Sequence, residues 1–190
     1  IKDGVYKADD KQVDKILDNV EQLKYIIARL QDLIEIRAGK EKLKIEKVDF
    51  KKMLDSVLSG YNAKDKDIKF ISIVDEGLKI SADSAKFRAV LDNLIENAYK
   101  YTKKGEIVIT ANNNQISIKD SGIGISAKDI PYIFERFYRV DKSRSSKTGG
   151  LGLGLAIVKE ICDAHNFDIK VTSEMGVGTE IVIFLTKLHS

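Results

Sequence analysis

The chain of 190 residues contains one cysteine, one proline and no tryptophan. A single cysteine cannot form an intramolecular disulfide, so the sequence excludes a disulfide-stapled scaffold and fits a reducing compartment. We expect Cys162, which lies among apolar residues at helical spacing, to be part of the core. No apolar run approaches the roughly 18 residues of a membrane-spanning helix. We therefore expect any membrane attachment to come from segments absent from this sequence.

The net charge is also small. The chain has 32 basic and 29 acidic side chains, evenly mixed, and a net charge of +3. This balance does not indicate nucleic-acid binding. With 43% apolar and 32% charged residues, the composition is that of a soluble globular protein with a sizeable core. The sequence starts at Ile1 without a signal-peptide pattern, so we expect it to be part of a longer protein.

The first long apolar pattern is a heptad stripe between Asp9 and Arg37, which predicts one long helix with a narrow apolar seam. Such a seam is buried well in a coiled coil or a four-helix bundle, which favours a homodimer formed through this helix. Packing of the seam against its own domain is the alternative. The pattern divides the chain into a helical segment, residues 1–39, and a domain, residues 40–190. The stripe consists of Val13, Ile16, Val20, Leu23, Ile27, Leu30 and Ile34.

The rest of the sequence predicts strands and helices in mixed order. Strands are predicted at residues 43–48, 68–74, 78–80, 106–111, 115–119, 167–173 and 180–185. Helices are predicted at residues 50–58, 83–102, 128–137 and 153–164, with Asp49 and Asp83 as N-caps and Asn166 as the last stop. Residues 139–148 are rich in charge and predict a mobile loop. This order predicts an α+β fold, a two-layer sandwich with a mixed sheet and helices on one face.

Three segments carry residues suited to binding a nucleotide. On the helix over residues 83–102, Asn93, Asn97 and Lys100 fall on one stripe at the edge of the apolar face. Neutral amide oxygens and a lysine suit Mg²⁺ and phosphate, although such a stripe is also typical of a solvated helix edge.

Asp120 begins the second segment, D-S-G-I-G-I, at the end of a strand. A carboxylate there can accept a hydrogen bond from the exocyclic amine of adenine, whereas guanine would present an oxygen to it. The alternative is a simple turn.

The third segment is the glycine-rich run K-T-G-G-L-G-L-G-L from Lys147 into a helix. Backbone N–H groups at a helix N-terminus attract phosphate. A mere connector is the alternative, and the spacing fits neither a P-loop nor a dinucleotide-binding turn.

Together these segments resemble, in order and spacing, the N, G1, F, G2 and G3 boxes of the sensor histidine kinases of the GHKL superfamily. The boxes are N-L-I-E-N-A-Y-K-Y-T from Asn93, D-S-G-I-G-I from Asp120, I-F-E-R-F-Y-R from Ile133, G-G-L-G-L-G-L from Gly149 and G-V-G-T from Gly176. Residues 9–37 also resemble the second helix of the family's dimerisation hairpin. The resemblance implies a Bergerat-type fold that binds ATP and Mg²⁺. It further implies phosphorylation of a histidine on the hairpin, a response regulator as partner, and a cytoplasmic location.

The resemblance also implies roles for individual residues. Asn97 is expected to bind Mg²⁺, with Asn93 beside the metal and phosphates, Lys100 on a phosphate and Tyr101 bordering the nucleotide. Asp120 is expected to accept the adenine amine. Asn97, Lys100 and Arg139 are the expected catalytic residues, with Arg139 reaching the terminal phosphate. The other expected nucleotide contacts are Gly122, Gly124, Ile125 and Thr179 around the base and Gly150, Leu151, Gly152, Leu153 and Gly154 at the phosphates.

The sequence departs from the family pattern at a few positions. Neither His165 nor His189 is followed by an acidic residue as the family's acceptor histidine is, so we expect the acceptor to lie outside this chain. We expect His165 to have a structural role. Leu151 replaces the usual Thr or Ser, which removes a possible contact from a side-chain hydroxyl. Water-hydrolysing relatives have a glutamate where Asn93 stands, so we expect transfer to a supplied nucleophile rather than rapid hydrolysis. A serine-directed kinase of the anti-sigma type and a nucleotide-gated scaffold are the alternatives.

Overall fold

The computed structural model describes residues 42–61, 67–140 and 152–186, together with Val13, Leu17 and Val20. These three residues are helical and exposed. Apart from them, the predicted N-terminal helix lies outside the described residues, and the division at residue 39 stays a prediction. No described helix is both long and apolar enough to cross a membrane.

Five strands form the main sheet in the order β2-β4-β5-β7-β6. They are β2 (Ile68–Val74), β4 (Gly105–Ala111), β5 (Gln115–Asp120), β6 (Asp168–Glu174) and β7 (Gly178–Phe184). β2 runs parallel to β4, and the other neighbouring pairs are antiparallel. β1 (Ile45–Asp49) and β3 (Lys79–Asp83) form a separate antiparallel pair, which the sequence did not predict.

Three α-helices, α1 (Phe50–Leu58), α2 (Ser84–Tyr101) and α3 (Gly154–Ala164), cover one face of this sheet. Side chains alternate along the strands, so that Ile107, Ile109, Ile116 and Ile183 are at most 1% exposed and pack with the helices in one core. Cys162 is part of this core, where burial raises the pKa of its thiol to about 12. The predicted two-layer α+β sandwich with a mixed sheet is confirmed.

Asp83 fixes the start of α2 and joins it to two other parts of the domain. Its carboxylate accepts hydrogen bonds from the backbone N–H of Lys86 at 3.1 Å, as an N-cap, and of Lys44 at 2.9 Å. Its own N–H donates to Nε2 of His165 at 2.9 Å, and Nδ1 of His165 lies 2.8 Å from the carbonyl oxygen of Ile161. Because a backbone N–H only donates and a carbonyl only accepts, the His165 proton belongs on Nδ1. The structure therefore places His165 between the end of α3 and the start of α2.

One predicted element is wrong. The helix expected at residues 128–137 is a single 3₁₀ turn at Ile130–Tyr132, followed by irregular turns. Phe137 has a φ of 64°, which is incompatible with a continuing right-handed helix. Asn166, by contrast, stops α3 as predicted, with a φ of 61°.

We predict that Asp83→Ala lowers the free energy of unfolding by about 1–2 kcal/mol, the usual cost of losing an N-cap. Burial opposes ionisation of Asp83, but the N–H groups of Lys44 and Lys86 and nearby His165 outweigh it and lower the carboxyl pKa below its ordinary value. The stability that ionised Asp83 contributes is therefore fully present above the unfolded-state pKa and is lost as the pH falls through the folded-state pKa. Chemical denaturation at neutral and acidic pH measures both effects.

The control is Asp92→Ala, which removes a partly exposed carboxylate from the same helix, 3.7 Å from Arg88. This variant should change the free energy of unfolding by less than about 0.5 kcal/mol. Equal effects of the two substitutions would contradict the role of Asp83.

Candidate functional site

The centre of the candidate site is the contact between α2 and the first residue of α3. Asn93 is 4% exposed, and its Nδ2 donates to the carbonyl oxygen of Ala89 at 2.6 Å. A Cβ atom placed on Gly154 would lie 2.9 Å from Asn93 Oδ1 and 3.9 Å from Asn97 Nδ2. The side-chain amides of both asparagines therefore lie against the N-terminus of α3. The close approach explains why residue 154 carries no side chain.

The N-terminus of α3 adds backbone donors to these amides. Its N-cap residue is Leu153, which cannot bond to the first-turn N–H groups, and no side chain of the described residues caps them. Such N–H groups have no partner within a helix and face outward from its end. They form a site suited to an anion next to Asn93 and Asn97.

The segment before α3 is held against the chain at residues 137–138. The N–H of Phe137 donates to the carbonyl oxygen of Gly152 at 2.9 Å. Gly152 has a φ of 71°, and a Cβ atom there would lie 2.6 Å from the carbonyl oxygen of Tyr138. Both the positive φ and this close approach require glycine.

Two cationic side chains lie near each other beside the amides. Burial lowers the pKa of the half-buried Lys100 ammonium, and the charge of Arg139 lowers it further, while Glu96 opposes the shift. Lys100 Nζ also lies 5.4 Å from the centre of the Tyr101 ring. Two like charges that lie near each other favour binding of an anion.

Asp120 forms the opposite end of the site, at the last residue of β5. Its Oδ1 accepts from the N–H of Gly122 at 2.8 Å. Burial raises the pKa of the Asp120 carboxyl, against the hydrogen bonds from the backbone N–H groups of Gly122 and Thr179. A Cβ atom on Gly122 would lie 2.7 Å from both Asp120 Oδ1 and the carbonyl oxygen of Tyr101. A glycine here allows a close approach between the end of β5 and the end of α2.

Ser173 on β6 joins the segments around Asp120, and sequence reasoning did not identify it. Its Oγ accepts from the N–H of Ile125 and donates to the carbonyl oxygen of Gly178, both at 2.8 Å. The same oxygen lies 2.8 Å from Thr179 Oγ1. A serine in a strand gives no sequence signal for such a role. Its register opposite Thr179 could have suggested it only after the β6–β7 hairpin was known.

The structure brings most of the sequence-predicted site residues together at one end of the sheet. Asn93 is buried more deeply than the edge position predicted for it. Gly150 and Leu151 lie outside the described residues, so their roles stay predictions. Among the residues that the structure describes, no group of three or more His, Cys, Asp and Glu side chains could hold a metal ion. A cation at this site would rely on amide oxygens, the ligand itself and water.

The domain matches a known protein family. The profile described as Histidine kinase-, DNA gyrase B-, and HSP90-like ATPase matches residues 82–189, which is more than half of the chain. The match begins at β3 and includes every site residue discussed above.

Individual relatives carry the same similarity. The chain is 37% identical to Sensor protein kinase WalK of Staphylococcus haemolyticus over 97% of this chain and 32% of that protein. It is 46% identical to Sensor histidine kinase WalK of Bacillus subtilis over 64% of this chain and 21% of that protein. The chain is also similar to the solved structure of full-length ShkA in complex with AMPPNP, with 26% identity and a TM-score of 0.73. The matched region covers 94% of this chain and 40% of the ShkA chain. The chain thus spans about a third or less of the length of these curated relatives.

We predict that Ser173→Ala loosens the loop after Asp120 without unfolding the domain. Loss of the acceptor should speed hydrogen exchange of the Ile125 amide by about tenfold, the factor for one lost hydrogen bond of about 1.4 kcal/mol. Ser117→Ala is the control, because its Oγ bonds Glu180 on the opposite face of the same sheet. Unchanged exchange at Ile125 in Ser173→Ala would contradict the assignment.

Proposed function

Because the chain belongs to the family of histidine kinase-, DNA gyrase B- and HSP90-like ATPases, we propose that it is the ATP-binding catalytic part of a sensor histidine kinase. It would transfer the terminal phosphate of ATP to a histidine on a dimerisation hairpin, for relay to a response-regulator aspartate. The observation that carries the proposal is the contact of Asn93 and Asn97 with the N-terminus of α3. This contact brings side-chain amides and helix N–H groups together, and Lys100 and Arg139 lie near each other beside the amides.

Recognition of adenine is proposed for Asp120. Its carboxylate is held by backbone N–H groups that leave acceptor capacity for one more donor, and the exocyclic amine of adenine is such a donor. Guanine would place a carbonyl oxygen against the carboxylate, which costs about 1–3 kcal/mol for an unpaired buried group. Gly122, Gly124, Ile125 and Thr179 would surround the base, while Tyr101 would border the nucleotide.

Binding of the phosphates is proposed for the other end of the site. Gly152, Leu153 and Gly154 would offer backbone N–H groups, and Lys100 and Arg139 would neutralise phosphate charge. Asn97 fits a Mg²⁺ ligand because its neutral amide lies where the helix N-terminus would hold phosphates. Mg²⁺ prefers few protein oxygens together with phosphate oxygens and water. When bound, the metal would supply charge neutralisation to the transferring phosphate.

The residues of this chain favour transfer over hydrolysis. Phosphoryl transfer depends mainly on positioning and on charge neutralisation, which Lys100 and Arg139 can supply without a proton acceptor. The residue one turn before Asn97 is Asn93, whose amide is already bonded to a backbone carbonyl and cannot act as a base for water. The nucleophile would therefore come from the acceptor histidine of the hairpin.

The N-terminal segment is proposed to form the homodimer. Val13, Leu17 and Val20 lie one helical turn apart and are between 41% and 57% exposed. An apolar face of this kind fits a helix bundle made with a second chain, on which the response regulator would dock. We place this activity in the cytoplasm, with any membrane anchor in other segments of the protein.

The proposed function predicts that the chain labels a separately supplied acceptor-bearing hairpin when given Mg²⁺ and γ-labelled ATP. The label should be acid-labile, as phosphohistidine is, and should appear faster than phosphate is released to water. Gel separation before and after acid treatment measures both products. Acid-stable label would instead indicate a serine-directed kinase, and nucleotide binding without any label would indicate a scaffold.

Two variants tie this activity to the site. Asp120→Asn should lower ATP affinity at least about tenfold, because the amide presents a donor to the adenine amine. Asn97→Ala should remove most of the Mg²⁺ dependence of ATP binding. Asp75→Asn, an exposed carboxylate in the turn after β2, is the control and should label the hairpin at the wild-type rate. Wild-type ATP affinity in folded Asp120→Asn protein would contradict the proposal.

A further inference from the structure

Asp129 is a buried carboxylate near the site that the proposed nucleotide contacts do not include. It is 9% exposed, and both of its oxygens accept hydrogen bonds. Tyr138 Oη donates to Oδ1 at 2.7 Å, and Ser126 Oγ donates to Oδ2 at 2.7 Å. A buried carboxylate with two hydroxyl donors holds its partners in one geometry rather than serving as a solvated side chain.

Both groups keep the ionisation states that this bond requires. The hydroxyls of Ser126 and Tyr138 lower the pKa of the Asp129 carboxyl, so it is a carboxylate at neutral pH. The bond to Asp129 raises the pKa of Tyr138 to about 12, so the phenol keeps its proton. The charge-assisted hydrogen bond between them is therefore present throughout the physiological range.

The residues around Tyr138 are held on other sides as well. Arg136 Nη2 lies 2.8 Å from Glu160 Oε1 on α3. Phe137 donates its N–H to Gly152, although its own backbone is in the left-handed region with a φ of 64°. A bulky residue adopts this conformation only where surrounding contacts impose it. Residues 136–138 are thus fixed to α3, to Gly152 and to Asp129.

Arg139 follows directly in the chain. Its charge lowers the pKa of Lys100, so its guanidinium lies near the cation at the phosphate end of the site. Tyr138 is fixed by its side chain and Phe137 by its backbone, so the chain immediately before Arg139 is held in place. A catalytic cation gains most when it is held in place before the phosphate arrives.

We propose that Asp129 and Tyr138 are positioning residues that hold Arg139 at the terminal phosphate of ATP. The proposal rests on the function proposed above, in which Arg139 contacts that phosphate. If so, loss of the Tyr138–Asp129 hydrogen bond lowers the affinity for ATP but not for ligands that lack the terminal phosphate.

The test compares Tyr138→Phe, which removes only the donating hydroxyl, with the wild-type chain by calorimetry in Mg²⁺. ATP affinity should fall about five- to tenfold, which is less than the direct loss of a hydrogen bond to a charged group, because the effect passes through Arg139. Affinities for ADP and adenosine should change less than twofold. Asp129→Asn should give the same pattern.

Two further variants separate positioning from a general structural role. Tyr132→Phe is the matched control, because this ring lies 5.6 Å from the Tyr138 ring and its hydroxyl makes no hydrogen bond within the described part of the chain. It should bind all three ligands as the wild type does. In an Arg139→Ala background, Tyr138→Phe should cause no further loss of ATP affinity, since its effect passes through Arg139.

A measurement without nucleotide separates this proposal from the proposed function. In the ligand-free chain, NMR titration of the Lys100 side chain should give a higher pKa in both Arg139→Ala and Tyr138→Phe than in the wild type. A wild type that does not bind ATP refutes the proposed function, and the Lys100 titration then decides the positioning role alone. Wild-type ATP affinity in Tyr138→Phe, equal losses for all three ligands, or an unchanged Lys100 pKa would each overturn the proposal.

Discussion

The close packing of α2 on the start of α3 is the constraint on which the candidate site depends. Residue 154 approaches Asn93 so closely that a Cβ atom would lie 2.9 Å from its side-chain oxygen. This approach sets the two asparagine amides beside helix N–H groups that no intrahelical carbonyl can satisfy. Asn93 can be buried there because its amide nitrogen finds the carbonyl of Ala89. The end of the site that is proposed to bind phosphates is therefore produced by helix packing.

The end of the site that is proposed to bind the base is built by the sheet. The register of β5 on β7 sets Asp120 opposite Thr179, and the register of β6 on β7 sets Ser173 opposite the same residue. Ser173 then connects the loop after Asp120 to the β6–β7 turn, because its hydroxyl accepts from the Ile125 N–H and donates to the Gly178 carbonyl. The two ends rest on different elements, so we expect substitutions to affect the proposed base and phosphate subsites separately.

Long periodic segments were predictable from the sequence, and so was the family. The strand at residues 68–74 was predicted from its alternation of apolar and polar residues. The helix after Asp83 was predicted because its periodicity and its N-cap indicate the same start. The resemblance to sensor histidine kinases is confirmed by the family match over residues 82–189. The helix predicted at residues 128–137 was wrong because side-chain and backbone bonds of Phe137 and Tyr138 to distant residues override a weak helical pattern.

Other features of the site could not be read from local patterns. The burial of Asn93 depends on Gly154, about 60 residues later in the chain, so the periodicity of α2 alone predicts only an edge position. Asp129 and Ser173 make hydrogen bonds to residues in other segments, and neither stands in a motif of its own.

The central claim is that one nucleotide spans both ends of this site, with its phosphates at the contact between α2 and α3. Chemical-shift mapping with a ¹⁵N-labelled chain tests it most directly. Adenosine should shift Gly122 and Ile125 only, whereas Mg-ATP should also shift the backbone amides of Gly154 and Leu155 and the side-chain amide of Asn97, with one saturation curve for all. Saturation of Gly122 by Mg-ATP without any change at Gly154 and Asn97 would contradict the account.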